Sequence, residues 1–169
     1  MPFEGLREFL SCLEANDELA RISKKVNNDS YEVSAILDRF QRLKGKAVVF
    51  ENLNDSNIPL CANVFGTFKR IALALETTED LIFNEWIKRE KAIWPSPKKV
   101  SAGPCQEVII NEEDVELNRY PILKWNPLDA ASYVTLGVFI SKDPETDVQN
   151  AGIYRLMVQG KAPVRCKFA

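Results

Sequence analysis

The chain has 169 residues, 46% of them hydrophobic, enough to build a core for one domain or for one domain and part of another. Its 22 basic and 24 acidic residues leave a net charge of -2 at pH 7, which argues against the basic face that nucleic-acid binding needs. It contains no histidine, so a histidine general base, a Ser-His or Cys-His pair and a histidine-ligated metal are excluded within it.

Residues 1–8 are already charged and do not resemble a signal peptide. No apolar run reaches the ~20 residues of a membrane span. The sequence therefore reads as a cytoplasmic chain with no membrane segment. Cys12, Cys61, Cys105 and Cys166 lie far apart with no CxxC spacing, and read as structural or buried thiols.

Leu6, Phe9, Leu10 and Leu13 recur at helical spacing and predict an amphipathic helix that ends near Asn16. Residues 19–26 predict a short strand. Asp29-Ser30-Tyr31-Glu32 has the pattern of a capping box, with Asp29 as cap and Glu32 reaching back. The following helix places Val33, Ile36, Leu37 and Phe40 on one face and stops at Gly45. Residues 47–50 and 60–65 are apolar runs of strand type, the second interrupted by Asn63 and closed by Gly66. Residues 69–75 are helical in pattern. Thr78, followed by Glu79 and Asp80, starts another helix, because acids favour the positive end of a helix dipole. Trp94-Pro95-Ser96-Pro97-Lys98-Lys99 has linker composition.

Beyond that linker, residues 107–110 predict a strand. The acidic stretch 111–118 predicts a helical turn. Pro121 and Pro127 bracket an extended segment, Ile122-Leu123-Lys124-Trp125. Residues 133–141 alternate as a strand rich in Val, Thr, Phe and Ile. Asp143-Pro144-Glu145-Thr146-Asp147 is a turn, and residues 150–159 return as the second arm of a hairpin. The chain thus divides into a mixed α/β part, residues 1–99, and a β-rich part, residues 100–169. One hairpin cannot bury both of its faces, so the second part reads as an incomplete domain.

Thr135 on one arm, and Asn150, Tyr154 and Arg155 on the other, are the candidates for chemistry. An arginine fork grips carboxylate or phosphate through two oxygens at once. The alternative is a strand arginine paired with a sheet neighbour. From pattern alone Asn150 reads more readily as a turn residue, and Thr135 as a simple β-former. Asn150 and Arg155 are five residues apart, which puts them on opposite faces of a regular strand. Gly152 is the position where a bend or bulge would bring them together. Trp94 and Trp125 are readable either as packing plugs beside prolines or as stacking platforms for a ring.

Several blocks, in order and spacing, resemble the N-terminal part of the UbiD family of decarboxylases. They are Leu6-Arg7-Glu8-Phe9-Leu10, Val48-Val49-Phe50-Glu51-Asn52, Asn63-Val64-Phe65-Gly66 with Arg70-Ile71-Ala72-Leu73-Ala74-Leu75, Tyr133-Val134-Thr135-Leu136-Gly137, Ser141-Lys142-Asp143-Pro144-Glu145-Thr146, and Asn150-Ala151-Gly152-Ile153-Tyr154-Arg155. The resemblance covers residues 4–161. It implies an α/β (α+β) fold: an N-terminal mixed α/β domain followed by the start of a flavin-reductase-like split β-barrel, truncated.

It also implies reversible, non-oxidative decarboxylation of an aromatic or α,β-unsaturated acid, such as a hydroxybenzoate, with prenylated FMN and a divalent metal, usually Mn2+. By the same resemblance Asn150 is a metal ligand. Thr135, Ile153, Tyr154 and Arg155 lie at the flavin, and Arg155 is the catalytic arginine that orients the substrate carboxylate. A UbiX-type flavin prenyltransferase would supply the cofactor, and members of the family oligomerise.

The departure is length. Family members go on to supply a histidine and a glutamate for the metal, an acidic proton donor and an oligomerising domain. Residues 162–169 do not resemble the family's continuation and read as a frameshifted or prematurely stopped tail. The expectation is a chain inactive on its own. The alternatives are a non-catalytic accessory subunit that completes its β-domain against a partner, or a non-functional remnant.

Overall fold

The computed structural model describes residues 3–28, 30–43, 45–54, 56–93 and 98–166. The expected cap Asp29 and the linker core Trp94-Pro95-Ser96-Pro97 lie outside the described residues. The architecture is mixed α/β, as the sequence implied, and contains two three-stranded sheets. The chain divides into two compact units. One comprises Met1–Lys25, Ala35–Asn52 and Pro59–Ile109; the other comprises Val26–Ser34, Leu53–Ile58 and Ile110–Ala169.

In the first unit the apolar spacing of Leu6, Phe9, Leu10 and Leu13 forms α1 (Leu6–Ala15), which buries Phe9 and Leu13. Strand β1 (Leu19–Ile22) runs parallel to β2 (Ala47–Phe50), and β2 pairs antiparallel with β3 (Leu60–Ala62). All four residues of β2 are buried, as befits a central strand covered on both faces. Phe9, Leu13, Leu19, Ala47 and Val49 form the core cluster. Helix α2 (Glu32–Arg42) ends before Gly45, whose N–H donates to the Phe40 carbonyl at 2.7 Å. The Glu32 carboxylate, at the first position of α2, accepts from the Asn27 N–H at 2.8 Å, two residues before the expected cap.

Two predicted strands are shorter than the apolar runs that signalled them. Strand β1 stops at Ile22, leaving Val26 as an isolated bridge to Leu53. Strand β3 stops at Ala62 because Asn63 turns into the left-handed region with φ 58°. Gly66 follows, and a Cβ there would fall 1.8 Å from the Asn63 Oδ1, so only glycine permits that approach.

Helix α3 (Phe68–Leu75) begins at Thr67, whose hydroxyl accepts from the Arg70 N–H at 3.3 Å. Helix α4 (Ile82–Glu90) follows a 3-10 turn over Glu79–Leu81, where the sequence places its start signal.

Arg70 is the one charged side chain among the fully buried described residues, 1% exposed. Its Nη1 donates to Glu18 Oε2 at 2.9 Å and to the Gly45 carbonyl at 3.2 Å. Among the described residues its Nε and Nη2 find no acceptor. Glu18 also pairs with Lys69 at 2.7 Å. Burial pushes the Glu18 carboxyl up, but hydrogen bonds from Lys69 and Arg70 outweigh it and hold it below the usual carboxylate range. The pair ties the N-terminus of α3 to the residue just before β1.

In the second unit β4 (Tyr133–Lys142), β5 (Gln149–Val158) and β6 (Val164–Cys166) form an antiparallel sheet in that order. The hairpin of β4 and β5 is the one predicted. Strand β6 was not predicted; Pro163 and the basic interruptions hid it. Its turn places Gly160 at φ 134°, and the Gln159 N–H donates to the Pro163 carbonyl at 2.9 Å. The strand predicted over 107–110 does not form. Val108 and Ile109 are 78% and 82% exposed, and an apolar run without a partner ladder has nothing to make it a strand.

Removing Glu18 leaves a buried guanidinium without its counter-charge, whereas removing Arg70 leaves Glu18 its Lys69 partner and some solvent. Glu18→Gln is therefore expected to destabilise the fold by about 3 kcal/mol, and Arg70→Met by clearly less. Urea melts of the two variants measure the order.

Candidate functional site

The hairpin of the second unit carries the candidate site. From the turn upward its register is regular: Lys142 faces Gln149, Ser141 faces Asn150, and so on to Gly137 facing Tyr154. It then shifts, so that Val134 faces Leu156 and Tyr133 faces Met157. Thr135 and Leu136 on β4 are thus set against Arg155 alone. Two residues against one is a β-bulge, and both bulge side chains emerge on the face of the residue opposite. Exposure is consistent with this: Thr135 and Leu136 are both exposed, and residues 136–140 then alternate between exposed and half-buried.

The bulge lies on β4, opposite Arg155, and not at Gly152, where the sequence reading looked for it. Strand β5 runs unbroken from Gln149 to Val158. Asn150 and Arg155 therefore keep the opposite parity of a regular strand. Gly152 has a different task. A Cβ there would fall 2.6 Å from Cε2 of Tyr154, whose ring lies edge-on to Phe139 at 6.0 Å.

Arg155 and Thr135 come together in one pocket of about 270 Å³, lined also by Trp125, Asn126, Asp129 and Tyr133. Ile153 shares the Arg155 face by alternation but does not line the pocket, and Tyr154 belongs to the other face. Asn150 lies five residues back along β5, beside the hairpin turn.

The Arg155 guanidinium sits over the Tyr133 ring, 5.6 Å from its centroid. The Tyr133 hydroxyl donates to the Met157 Sδ at 3.2 Å. The Trp125 Nε1–H donates to the Tyr133 carbonyl at 3.4 Å, and the Tyr133 N–H donates to the Leu123 carbonyl at 3.0 Å. Leu123 is buried and anchors this extended segment. Asp129 closes the turn after it: its Oδ2 accepts from the Asn126 N–H at 3.0 Å.

The sequence reading marked Trp125 as either plug or platform, and the structure makes it a pocket wall. It missed Tyr133, Asn126 and Asp129. The turn composition of Asn126-Pro127-Leu128-Asp129, just before a strand, was the available signal for the last two.

Chemically the pocket offers one cation, two aromatic walls and the Thr135 hydroxyl, with the Asp129 carboxylate and the Asn126 amide at its turn. That combination receives a planar acid: oxygens at the guanidinium, ring against the aromatics. At about 270 Å³ it takes a one-ring acid or one end of a flavin, and the described residues do not enclose a whole flavin. The metal fares differently. Among the described residues no three His, Cys, Asp or Glu side chains could hold an ion. Asn150 is one neutral oxygen donor, against the roughly six that a hard divalent cation takes. These residues do not make a metal site by themselves.

The fold is that of the UbiD-class decarboxylases. The chain superposes on vanillic acid decarboxylase of Sedimentibacter hydroxybenzoicus with a TM-score of 0.89 and 27% identity, over 98% of this chain and 38% of that one. It superposes on an evolved dimeric form of the UbiD-class enzyme HmfF from Pelotomaculum thermopropionicum, in complex with prFMN, with a TM-score of 0.87 and 25% identity, over 99% and 39%. Similarity to apo 3,4-dihydroxybenzoic acid decarboxylase of Klebsiella pneumoniae, at 22% identity and a TM-score of 0.84, is a likeness of fold.

Residues 10–90 match the 3-octaprenyl-4-hydroxybenzoate carboxy-lyase N-terminal domain, and residues 98–167 match the Rift-related domain of the same enzyme. The chain belongs to the UbiD family. It spans between 36% and 39% of the length of the solved chains it matches. No described helix is long and apolar enough to cross a membrane.

The hairpin turn holds the bulge in register, and Asp143 holds the turn. Its Oδ1 accepts from the Glu145 and Thr146 N–H groups at 2.8 and 3.0 Å. Those backbone donors, Thr146 first, hold the Asp143 carboxyl below the usual carboxylate range. A carboxylate with a depressed folded pKa adds stability above its unfolded value and loses it as pH falls through the folded one. Thermal melts taken from roughly pH 5 to pH 2 are expected to fall in wild type and to fall less in Asp143→Asn.

Proposed function

We propose that this chain contributes the substrate-carboxylate grip and part of the flavin site of a UbiD-type decarboxylase. The reaction is the reversible, non-oxidative loss of CO2 from an aromatic acid, of hydroxybenzoate type, or from an α,β-unsaturated acid. The observation that carries the reading is the Arg155 guanidinium set over an aromatic ring beside Thr135 and Trp125 in one pocket. Among the described residues Arg155 is in no ion pair, and Asp129, the carboxylate that lines the same pocket, accepts from the Asn126 N–H instead. Arg155 would take both carboxylate oxygens and align the bond that breaks, with Trp125 flanking the acid's ring.

Thr135, Ile153, Tyr154 and Arg155 are assigned to the prenylated FMN, which when bound supplies the electron sink for the step. Asn150 is assigned as one amide-oxygen ligand of Mn2+; the other ligands would come from outside the described residues. The cofactor would come from a UbiX-type flavin prenyltransferase, in the cytoplasm, and the working enzyme would be an oligomer. The chain by itself is expected to turn nothing over.

A second reading has its own observation. Leu136, Val138, Ile140 and Ile153 are each 64% exposed or more and share the Arg155 face of the sheet, while the outer edge of β4 is unpaired among the described residues. An apolar face beside an open edge is what an accessory subunit would cover with a partner's strands. Copurification with a larger polypeptide tests it.

The first reading is tested by titrating the chain with 4-hydroxybenzoate. Loss of a two-oxygen grip is expected to weaken binding about tenfold in Arg155→Leu, with Arg155→Lys between the two. Equal affinity in all three proteins, or turnover by the isolated chain with prenylated FMN and Mn2+, defeats the corresponding claim.

A further inference from the structure

We propose that Tyr133 is the positioning residue that aims Arg155 at its ligand, a role that rests on the carboxylate-binding reading given above. A strand arginine has a long side chain with many rotamers, and holding it in one costs conformational entropy at the moment of binding. Here the guanidinium lies over the Tyr133 ring at 5.6 Å, a contact that favours one placement of the head group without occupying its hydrogen-bond donors. A carboxylate counter-ion would favour one placement too, but would block the fork that has to receive the ligand.

The ring is itself held. The Tyr133 hydroxyl donates to Met157, its carbonyl accepts from Trp125, and its N–H donates to the Leu123 carbonyl. Met157 is the residue that Tyr133 faces in the register, two places beyond Arg155 on β5. The contact therefore depends on the register shift: it places ring and guanidinium on one face of the sheet with Thr135 beside them. Tyr133 acts through Arg155, and the prediction separates ring from hydroxyl.

The experiment is NMR of the Arg155 Nε–H resonance, assigned by its loss in Arg155→Leu, together with benzoate titrations of the whole chain. Wild type is expected to show the upfield shift of a proton over a ring face. Tyr133→Phe keeps the ring, and is expected to keep both the shift and the affinity. Tyr133→Leu is expected to lose the shift and to bind benzoate about three- to fivefold more weakly. If Tyr133→Leu does not fold, Tyr133→Trp answers instead, with a larger shift from the larger ring.

An Nε–H resonance that does not move between wild type and Tyr133→Leu, or between wild type and Tyr133→Trp, overturns the proposal. So does a Tyr133→Phe that loses as much as Tyr133→Leu, since the hydroxyl would then be the agent. The carboxylate-binding reading fails separately, when Arg155→Leu binds benzoate as well as wild type while the ring shift is intact.

Discussion

Two residues of β4 stand against one of β5, and the candidate site depends on that mismatch. In a regular ladder Thr135 and Leu136 would point to opposite faces. The bulge sends both to the side of Arg155 and reverses the parity of everything that follows on β4. Tyr133 and Thr135 before it, and Val138 and Ile140 after it, therefore share one face, although a plain count of two would divide them. Cation, ring and hydroxyl converge because of one extra residue in the ladder. Gly137 follows the bulge at once, where a Cβ would press on Leu156 and on the Tyr154 carbonyl at 3.1 and 3.2 Å.

The first unit settles its charges differently. Arg70 is sealed from solvent and committed to Glu18 and a backbone carbonyl. A buried cation so engaged locates a helix relative to a strand and offers nothing to a ligand. Arg155 is exposed, meets an aromatic face, and keeps its fork open. The same residue type, commonplace in sequence, does structural work in one setting and is available for recognition in the other. The partner decides which.

That difference explains what could be read from the sequence. Helices α1 and α2 were legible because their apolar residues repeat at 3.6 and Gly45 marks where α2 stops, and α3 from the helical pattern of residues 69–75. Strand β2 was legible as an apolar run between polar segments, and the hairpin as two alternating runs around Asp143-Pro144. The run at 107–110 misled because hydrophobicity signals a strand only where a neighbour exists to pair with it. Strand β6 was hidden behind Pro163 for the converse reason: its pairing with β5 is tertiary information.

The parity conflict between Asn150 and Arg155 was visible in the spacing. The bulge that bears on it was not, because register is a property of two strands and the reading searched only the one containing Gly152. Tyr133 looked like an ordinary β-former, and its place beneath Arg155 follows from a shift that no single-strand pattern encodes.

The unresolved parity also bears on how the chemistry would be shared out. Asn150 sits where β5 leaves the turn, on the face opposite Arg155, and among the described residues nothing gathers there to hold a cation. The pocket at Arg155 is built from residues of one short segment and one hairpin, already pinned by Leu123, Met157 and the Asp129 turn. A grip on two oxygens needs a single arginine held in place, which one hairpin can supply. A metal needs several donors converging on a point, and a flavin needs a cavity larger than about 270 Å³. Of the chemistry proposed above, oxyanion recognition is therefore the part that these residues can organise locally, and the metal and the full flavin call for more surface than they provide.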